Sequence, residues 1–566
     1  MRLIDIQNLI FSYPGDDKPT LNDINLTIDE GEFVLICGPS GCGKTTFIKQ
    51  LIPSIAPYGT REGVINFCDK DVEEYEDRIL AREIGYVGQN PSSQMITDKV
   101  WHELAFGMEN LGLSNETMQR RIAEICEFFG MQSWINRSVD SLSGGEMQMV
   151  HLAAVMVMEP RVLILDEPIA QLDPLAARNF LDMLNRINTE LGTTIIVVEH
   201  HLEDVYGMAT KVVAMSKARI DYVGNPRDVA AKLNFKSGLP TSLIIARNVE
   251  GLGDANSDSC SFGSADDETS LPLTVAEGQR WMAKRFAFSD KKRTLHDENK
   301  EESKRNIVLR MKEIGFAYDE SKAVLNDCNL DVYEGEIFAL MGGNGTGKST
   351  LLSVLCQTLK QAYGTIEVFG KKVKSVKDAP LGYEGMVYLP QDPMALFTEV
   401  TVIEELEEAL HGLDISVSDK KDRTVKMLSG VGLDGYEKFH PYDLSFGQQQ
   451  VLAFAKLLLL EPRIILMDEP TKGLDYDRKI ELGNMLNKLT EAGVTILMVS
   501  HDIEFCARFA SRCAMLHDGR VVSTLPRREF FAGNKFFTTA SNRIARRHAP
   551  EAILPEEVIA FCRDEM

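Results

Sequence analysis

A glycine-rich loop occurs twice in this chain in the same setting, and it narrows the available folds more than any other feature. EFVLIC (32–37) is an apolar run of strand length, GPSGCGKTT follows it, and FIKQLI continues as a helix; the second half repeats the loop as GGNGTGKST. Strand, glycine loop and helix in that order form a phosphate cradle. Backbone N–H groups wrap the anion, the helix N-terminus points at it, the lysine reaches its outer oxygens and the next hydroxyl faces Mg²⁺. Lys44 and Thr45 take these roles in the first half, and Lys348 and Ser349 in the second.

The duplication extends well past the loops. Lys44 pairs with Lys348, Gln89 with Gln391, Ser143 with Ser445, Asp166 with Asp468 and His200 with His501, at separations of 301 to 304 residues. Separations that steady mean a duplicated domain. LPLTVAEG (271–278) is answered by LPEEVIAF (554–561), so the repeat reaches the tail of each copy. The first copy carries about twenty extra residues near GLGDANSDSCSFGSADDETS (251–270), whose Gly, Ser and Asp content predicts an exposed loop. SDKKRTLHDENKEESKR (289–305) is a charge run with few apolar residues and predicts a solvated tether. The expected organisation is a first domain over 1–288, a linker over 289–305 and a second domain over 306–566.

Composition removes several function classes. A chain of 566 residues exceeds one hydrophobic core, and 44% hydrophobic with 26% charged residues describes an ordinary globular protein. A net charge of −23 argues against a general nucleic-acid binder, whose affinity rests on Lys and Arg neutralising phosphates. The ten cysteines include no CxxC pair and no cluster at metal-ligand spacing, so reduced thiols are expected, without zinc or an iron–sulfur centre. MRLIDIQNLIF lacks the pattern of a secretory signal. The most apolar run, VLAFAKLLLL, contains Lys456 and ends at Glu461-Pro462, short of the ~20 residues that a membrane span needs. If the protein acts on a membrane, another chain crosses it.

VLILDEP (162–168) and IILMDEP (464–470) are apolar strands that end in two carboxylates, about 120 residues after each glycine loop. Asp166 and Asp468 are placed to hold the Mg²⁺ shell, and Glu167 and Glu469 to polarise an attacking water. IIVVEHH and ILMVSHD are further strands, ending in His200 and His501, each placed for a γ-phosphate contact. These residues alone predict Mg²⁺-dependent hydrolysis of a nucleoside triphosphate.

Taken together, the motifs resemble one superfamily over nearly the whole chain, the ABC (ATP-binding cassette) ATPases. The resemblance implies an α/β fold of two P-loop NTPase domains. Each would have a RecA-like core, an antiparallel β subdomain, an inserted helical subdomain carrying the signature motif, and a small C-terminal extension. It implies that ATP is held by Gly38, Ser40, Gly41, Gly43, Lys44, Thr45 and Thr46, and by Gly342, Asn344, Gly345, Gly347, Lys348, Ser349 and Thr350. LSGGE (142–146) and LSFGQ (444–448) are then the signatures, contributing Ser143, Gly144 and Gly145, and Ser445 and Gly447. Gln89 and Gln391 become catalytic Q-loop glutamines that also complete the metal shell, Asp173 and Asp475 mark D-loops, and Tyr13 and Tyr318 stack on adenine.

In this superfamily two cassettes close head to tail, so the resemblance makes the chain an internal pseudo-dimer with mixed sites. Lys44, Glu167 and His200 would face LSFGQ, and Lys348, Glu469 and His501 would face LSGGE. Phe446 stands where the first signature has Gly144. Its side chain restricts the backbone only where that glycine needs positive φ. Both sites are therefore expected to hydrolyse ATP, with the one facing Phe446 at most modestly weaker.

Among ABC systems, GYVGQNPSSQMITDKVWHELAFGMENLG (85–112), EHHLED (199–204) and the LPLTV tail are similar to energy-coupling factor (ECF) importers. The resemblance implies a transmembrane coupling subunit, a small membrane subunit that binds a vitamin or a transition-metal ion, and a peripheral place on the cytoplasmic face of the membrane. LSFGQQQ is similar to the signature of fused sugar-importer ATPases, a nearer alternative than a soluble translation or repair factor. A translation factor would carry DEPTNHLD, where this chain has DEPIAQLD and DEPTKGLD, and a repair factor would carry a coiled-coil or zinc insertion.

Overall fold

The computed structural model describes residues 1–16, 18–233, 238–251, 271–286, 306–318, 323–375, 377–413 and 415–565. The expected tether over 289–305 lies outside the described residues, as does the expected loop over 251–270 apart from Gly251. The chain forms two compact units, Met1–Arg285 and Phe286–Met566.

In the first unit, β1 (Arg2–Ser12), β2 (Leu21–Asp29), β4 (Thr60–Phe67) and β5 (Lys70–Asp71) make an antiparallel sheet in the order β2-β1-β4-β5. The second sheet has the order β10-β9-β3-β8-β7-β6. It contains β3 (Phe33–Cys37), β6 (Ile84–Val87), β7 (Val162–Asp166), β8 (Thr194–Val198), β9 (Lys211–Ser216) and β10 (Arg219–Gly224). Every pairing in it is parallel except β9 with β10. All residues of β3, β7 and β8 are buried, as expected for apolar runs in a sheet covered on both faces.

Three helices, Val100–Asn110, Asn115–Phe129 and Gly144–Met156, are inserted between β6 and β7. Pro226–Lys232, Thr241–Val249 and Val275–Arg285 form the C-terminal extension. This is the α/β architecture that the motifs imply.

The second unit repeats the plan. β11 (Ile307–Ala317), β12 (Ala323–Tyr333), β14 (Tyr363–Val368) and β15 (Lys371–Val373) form the antiparallel sheet. β13 (Ile337–Met341), β16 (Met386–Leu389), β17 (Ile464–Asp468), β18 (Thr495–Val499), β19 (Arg512–His517) and β20 (Arg520–Pro526) form the other, in the order β16-β17-β18-β13-β19-β20. Its inserted helices are Val402–Ala409, Val417–Gly430 and Phe446–Leu458.

One internal support differs between the copies. In the second unit, fully buried Glu405 accepts the backbone N–H groups of Thr398 and Glu399 and faces Lys456 Nζ at 2.5 Å. Lys456 also donates to Leu396 O at 2.8 Å, so one cation on the signature helix anchors the segment that follows Gln391. In the first unit Glu103 holds Ile96 and Thr97 in the same way, but the lysine's counterpart is Ala154. Removing one partner of a buried pair leaves an uncompensated charge, so Lys456→Met is expected to destabilise the second unit by roughly 3–5 kcal/mol. Urea unfolding of the full chain will show this as a transition that moves to lower denaturant.

Candidate functional site

Parallel pairing gathers the ends of three strands. In the first unit Ile36 lies opposite Val198 across β3 and β8, and Asp166 lies opposite Val198 across β7 and β8. The residues that follow these strand ends, far apart in sequence, therefore emerge side by side. Gly43 caps the helix Lys44–Gln50 at φ 101°, and a Cβ there would lie 2.7 Å from Thr20 O. Gly347 repeats this at φ 101°, 2.9 Å from Val324 O. The turn thus demands glycine both for its left-handed backbone and for close approach to the neighbouring strand. Lys44 is 5% exposed and donates to Gly38 O and Pro39 O at 2.8 and 2.9 Å; Lys348 donates to Gly342 O and Gly343 O at 3.0 Å. Each lysine is thereby held across the loop it belongs to.

Beside this loop Thr45 Oγ1 donates to Asp166 Oδ1 at 3.0 Å, and the Tyr86 hydroxyl donates to Asp166 Oδ2 at 3.4 Å. Burial raises the Asp166 carboxyl above the usual carboxylate range and Glu167 adds to the rise, against the Thr45 bond. Asp468 follows the same logic: burial raises it and the neighbouring Ser349 hydroxyl opposes the shift, without a hydrogen bond of normal geometry to the buried Oδ1. A hydroxyl and a buried carboxylate, with an oxygen left unsatisfied in the second unit, form a hard-oxygen donor set that fits Mg²⁺. Tyr86 and its counterpart Tyr388, whose hydroxyl donates to Asp468 Oδ2 at 3.5 Å, were not legible in the sequence. Only the tyrosine that precedes Gln89 and Gln391 by three residues in each copy hints at them.

Glu167 and Glu469 stand at φ 48° and 50°, a left-handed conformation that costs a non-glycine residue about 1 kcal/mol. Each is held there by its own N–H, which donates to Val198 O or Val499 O at 2.9 Å. Glu167 Oε1 lies 2.6 Å from His200 Nε2, and Glu167 Oε2 accepts from Gln89 Nε2 at 2.9 Å. The structure therefore brings Gln89 onto Glu167 rather than onto Asp166. In the second unit His501 presents Nδ1 to Glu469 Oε2 at 2.8 Å, and exposed Gln391 makes no bond to that glutamate.

Tyr13 and Tyr318 reach the same loops, their hydroxyls bonded to Thr46 Oγ1 and Thr350 Oγ1 at 3.0 and 3.2 Å. Phe11 and Phe316 brace the rings edge-on, with centroids 5.1 and 4.9 Å away. Ser40, Gly41, Asn344 and Gly345 lie on the two glycine loops between strand and helix.

The residues of LSGGE and LSFGQ each start a helix. Ser143 and Ser445 each cap their helix in a reciprocal capping box with Glu146 or Gln448. Asp173 and Asp475 also act as helix caps, Asp173 accepting from Leu175 N and Ala176 N and Asp475 from Arg478 N.

Gly144 is not among the positive-φ glycines, and a Cβ on it would meet nothing within 4 Å. Ser445 takes nearly the dihedrals of Ser143, so Phe446 does not distort the turn. The Phe446 ring instead occupies space above Gly473, where an added Cβ would sit 2.9 Å from Cδ1. The first unit has Gly144 with Gln171 where the second has Phe446 with Gly473, an exchange of bulk between signature and D-loop.

One buried acid at the site also escaped sequence reading. Glu199 is 1% exposed; its Oε1 accepts from Ile169 N at 3.1 Å and its Oε2 from His200 N at 3.2 Å. Burial pushes its carboxyl up to about 8, with repulsion from Glu167 adding to the rise and the backbone N–H bonds opposing it.

Comparison with known proteins fits this geometry. The family described as ABC transporter matches residues 21–170 and 325–472. A curated relative from Bacillus thuringiensis subsp. konkukian, a putative ABC transporter ATP-binding protein, is 38% identical across 99% of this chain and 98% of its own length. One of the same description from Methanosarcina mazei is 33% identical across 94% and 90%. A solved structure, cbiO1 from Clostridium perfringens, described as part of the ABC transporter complex cbiONQ, is 30% identical. It covers 41% of this chain and 91% of its own, with a TM-score of 0.38.

Two outcomes follow from this site. Gly473→Gln should destabilise the second unit by about 2 kcal/mol through left-handed strain and overlap with Phe446, and adding Phe446→Gly should restore part of the loss; chemical unfolding of both variants measures it. Glu199 binds a proton more tightly folded than unfolded, so its stabilisation is complete below the unfolded value near 4 and lost as pH rises through its folded value. The stability advantage of wild type over Glu199→Gln, read by calorimetry, should shrink between about pH 5 and about pH 9.

Proposed function

Because this chain belongs to the ABC transporter ATP-binding family, and is by that membership an ATPase, we propose that it energises an ECF-type importer. In that role it powers uptake of a vitamin or a transition-metal ion through separate membrane subunits. The observation that carries the importer class is the segment 85–112, supported by EHHLED and the LPLTV tail. Among the described residues no helix is long and apolar enough to cross a membrane, which accords with a peripheral protein on the cytoplasmic face that works through partner chains. An apolar groove of about 560 Å³ between the helices Val100–Asn110 and Asn115–Phe129, lined in part by Trp101, Met118, Ile122 and Ile135, offers a surface for such a partner just after the Gln89 segment.

In the proposed reaction Lys44 and Lys348 bind the outer phosphate oxygens within their glycine loops, and the backbone N–H groups of those loops orient the chain of phosphates. Tyr13 and Tyr318 stack on adenine. Thr45 with Asp166, and Ser349 with Asp468, would hold Mg²⁺, which would neutralise charge on the phosphate oxygens. Glu167 and Glu469 orient and deprotonate water, and His200 and His501 contact the γ-phosphate. Gln89 lies on Glu167 and gives the partner-facing segment a direct reach to the hydrolytic base. With the two cassettes acting as the pair that the family implies, both sites turn over, and Phe446 leaves the signature's serine and backbone donors in place.

Two measurements test this reading. Glu167→Gln and Glu469→Gln should each lower ATPase turnover without abolishing it, and the double variant should lose about 10²-fold or more. Turnover that vanishes in Glu469→Gln alone while Glu167→Gln stays near wild type would make the site facing Phe446 a passenger. Affinity capture of the tagged protein from gently solubilised membranes should bring down a polytopic subunit with a small integral-membrane partner. Ribosomes or repair proteins without a membrane partner would sink the importer.

A further inference from the structure

The two units turn different ring nitrogens of the histidines toward the neighbouring glutamate. In the first, His200 turns Nε2 toward Glu167 at 2.6 Å; in the second, His501 turns Nδ1 toward Glu469 at 2.8 Å. The neighbours of the two histidines account for the contrast. Glu199 immediately precedes His200 and takes the His200 backbone N–H, and its other oxygen takes the N–H of Ile169, two residues beyond Glu167. Ser500 precedes His501 and is spent on the N–H of Asp502, so the His501 N–H turns onto Glu469 Oε2 itself at 3.2 Å. In the second unit the His501 N–H and its Nδ1 both face Glu469 Oε2, the ring nitrogen without hydrogen-bond geometry, whereas in the first the His200 ring faces Glu167 Oε1 and Gln89 Nε2 donates to Oε2.

We propose that Glu199 is a positioning residue that clips the backbones of Ile169 and His200 together and so presents His200 to Glu167 by Nε2. A carboxyl that is 1% exposed costs free energy to bury unless it is well bonded, and serine suffices at the same place in the second unit. Its retention in the first unit therefore answers to the clip rather than to packing. The two sites are chemically distinct: the first connects its hydrolytic base to the partner-facing glutamine, and the second leaves Gln391 apart. The inference rests on Glu167 and His200 acting in ATP hydrolysis, as proposed above.

The test is Glu199→Ser in the full chain, with Glu199→Gln as the conservative variant. Ring-nitrogen NMR of histidine-labelled protein, with the His200 signals identified by their loss in His200→Ala, should show a changed tautomer or hydrogen-bonding pattern in Glu199→Ser and a smaller change in Glu199→Gln. In the Glu469→Gln background, where the first unit's machinery does the work, Glu199→Ser should lower kcat about tenfold with KM for ATP within about twofold. Unchanged His200 signals overturn the proposal. So does a loss of ATP binding that falls together with thermal stability, since that marks a merely structural acid. The Glu167→Gln/Glu469→Gln double variant checks the catalytic glutamates separately: if it still hydrolyses ATP, their assignment fails, while the NMR comparison still decides whether Glu199 sets the histidine.

Discussion

Parallel pairing of β7, β8 and β3 is the constraint on which the rest of each unit depends. It places Asp166 beside Val198 and Val198 beside Ile36, so the phosphate loop, the acid pair and the histidine all leave the sheet at one edge. In an open α/β sheet this edge, at the carboxyl ends of the strands, is where ligands bind. The Glu167 N–H to Val198 O bond is a direct product of that register, and it holds the glutamate in a backbone conformation it would not otherwise adopt. The strain is local and is repeated at Glu469, which argues for a requirement of the site rather than an accident of one loop.

Duplication has kept this frame and varied the contacts around it. Two variations stand out: Phe446 with Gly473 against Gly144 with Gln171, and Lys456 beside Glu405 where the first unit has Glu103 and Ala154 at the corresponding positions. The first set exchanges bulk between two elements that touch, as close packing requires, while the second adds an ion pair in the second unit that the first lacks. The phenylalanine in the second signature is one half of such an exchange. Its bulk lies over the D-loop, while the serine cap and the helix start keep the geometry of the first copy.

Much of the site could be read along the chain because its chemistry is local in sequence. A glycine loop between strand and helix, two acids ending an apolar run and a histidine ending another carry their meaning within a few residues. The reciprocal capping boxes that start the signature helices, Ser143 with Glu146 and Ser445 with Gln448, were found only in the structure. Tyr86, Tyr388 and Glu199 resisted such reading. Each acts on an atom supplied by a different strand end, and a tyrosine near an apolar strand or an acid beside a histidine has many ordinary explanations.

By itself the sequence determined the duplication, the two glycine loops, the acids and histidines at the strand ends and the family to which the chain belongs. These depend on residue type and spacing along one chain, where covalent geometry limits what a segment can do. Only the tertiary structure decided which groups meet: that Gln89 rests on Glu167, that Asp173 and Asp475 cap helices, and that His200 and His501 offer different ring nitrogens. The caps are local bonds of two or three residues, but the contacts of Gln89, His200 and His501 join residues some thirty to eighty positions apart, which only folding brings together. Beside the two histidines the copies differ in a buried residue, Glu199 against Ser500.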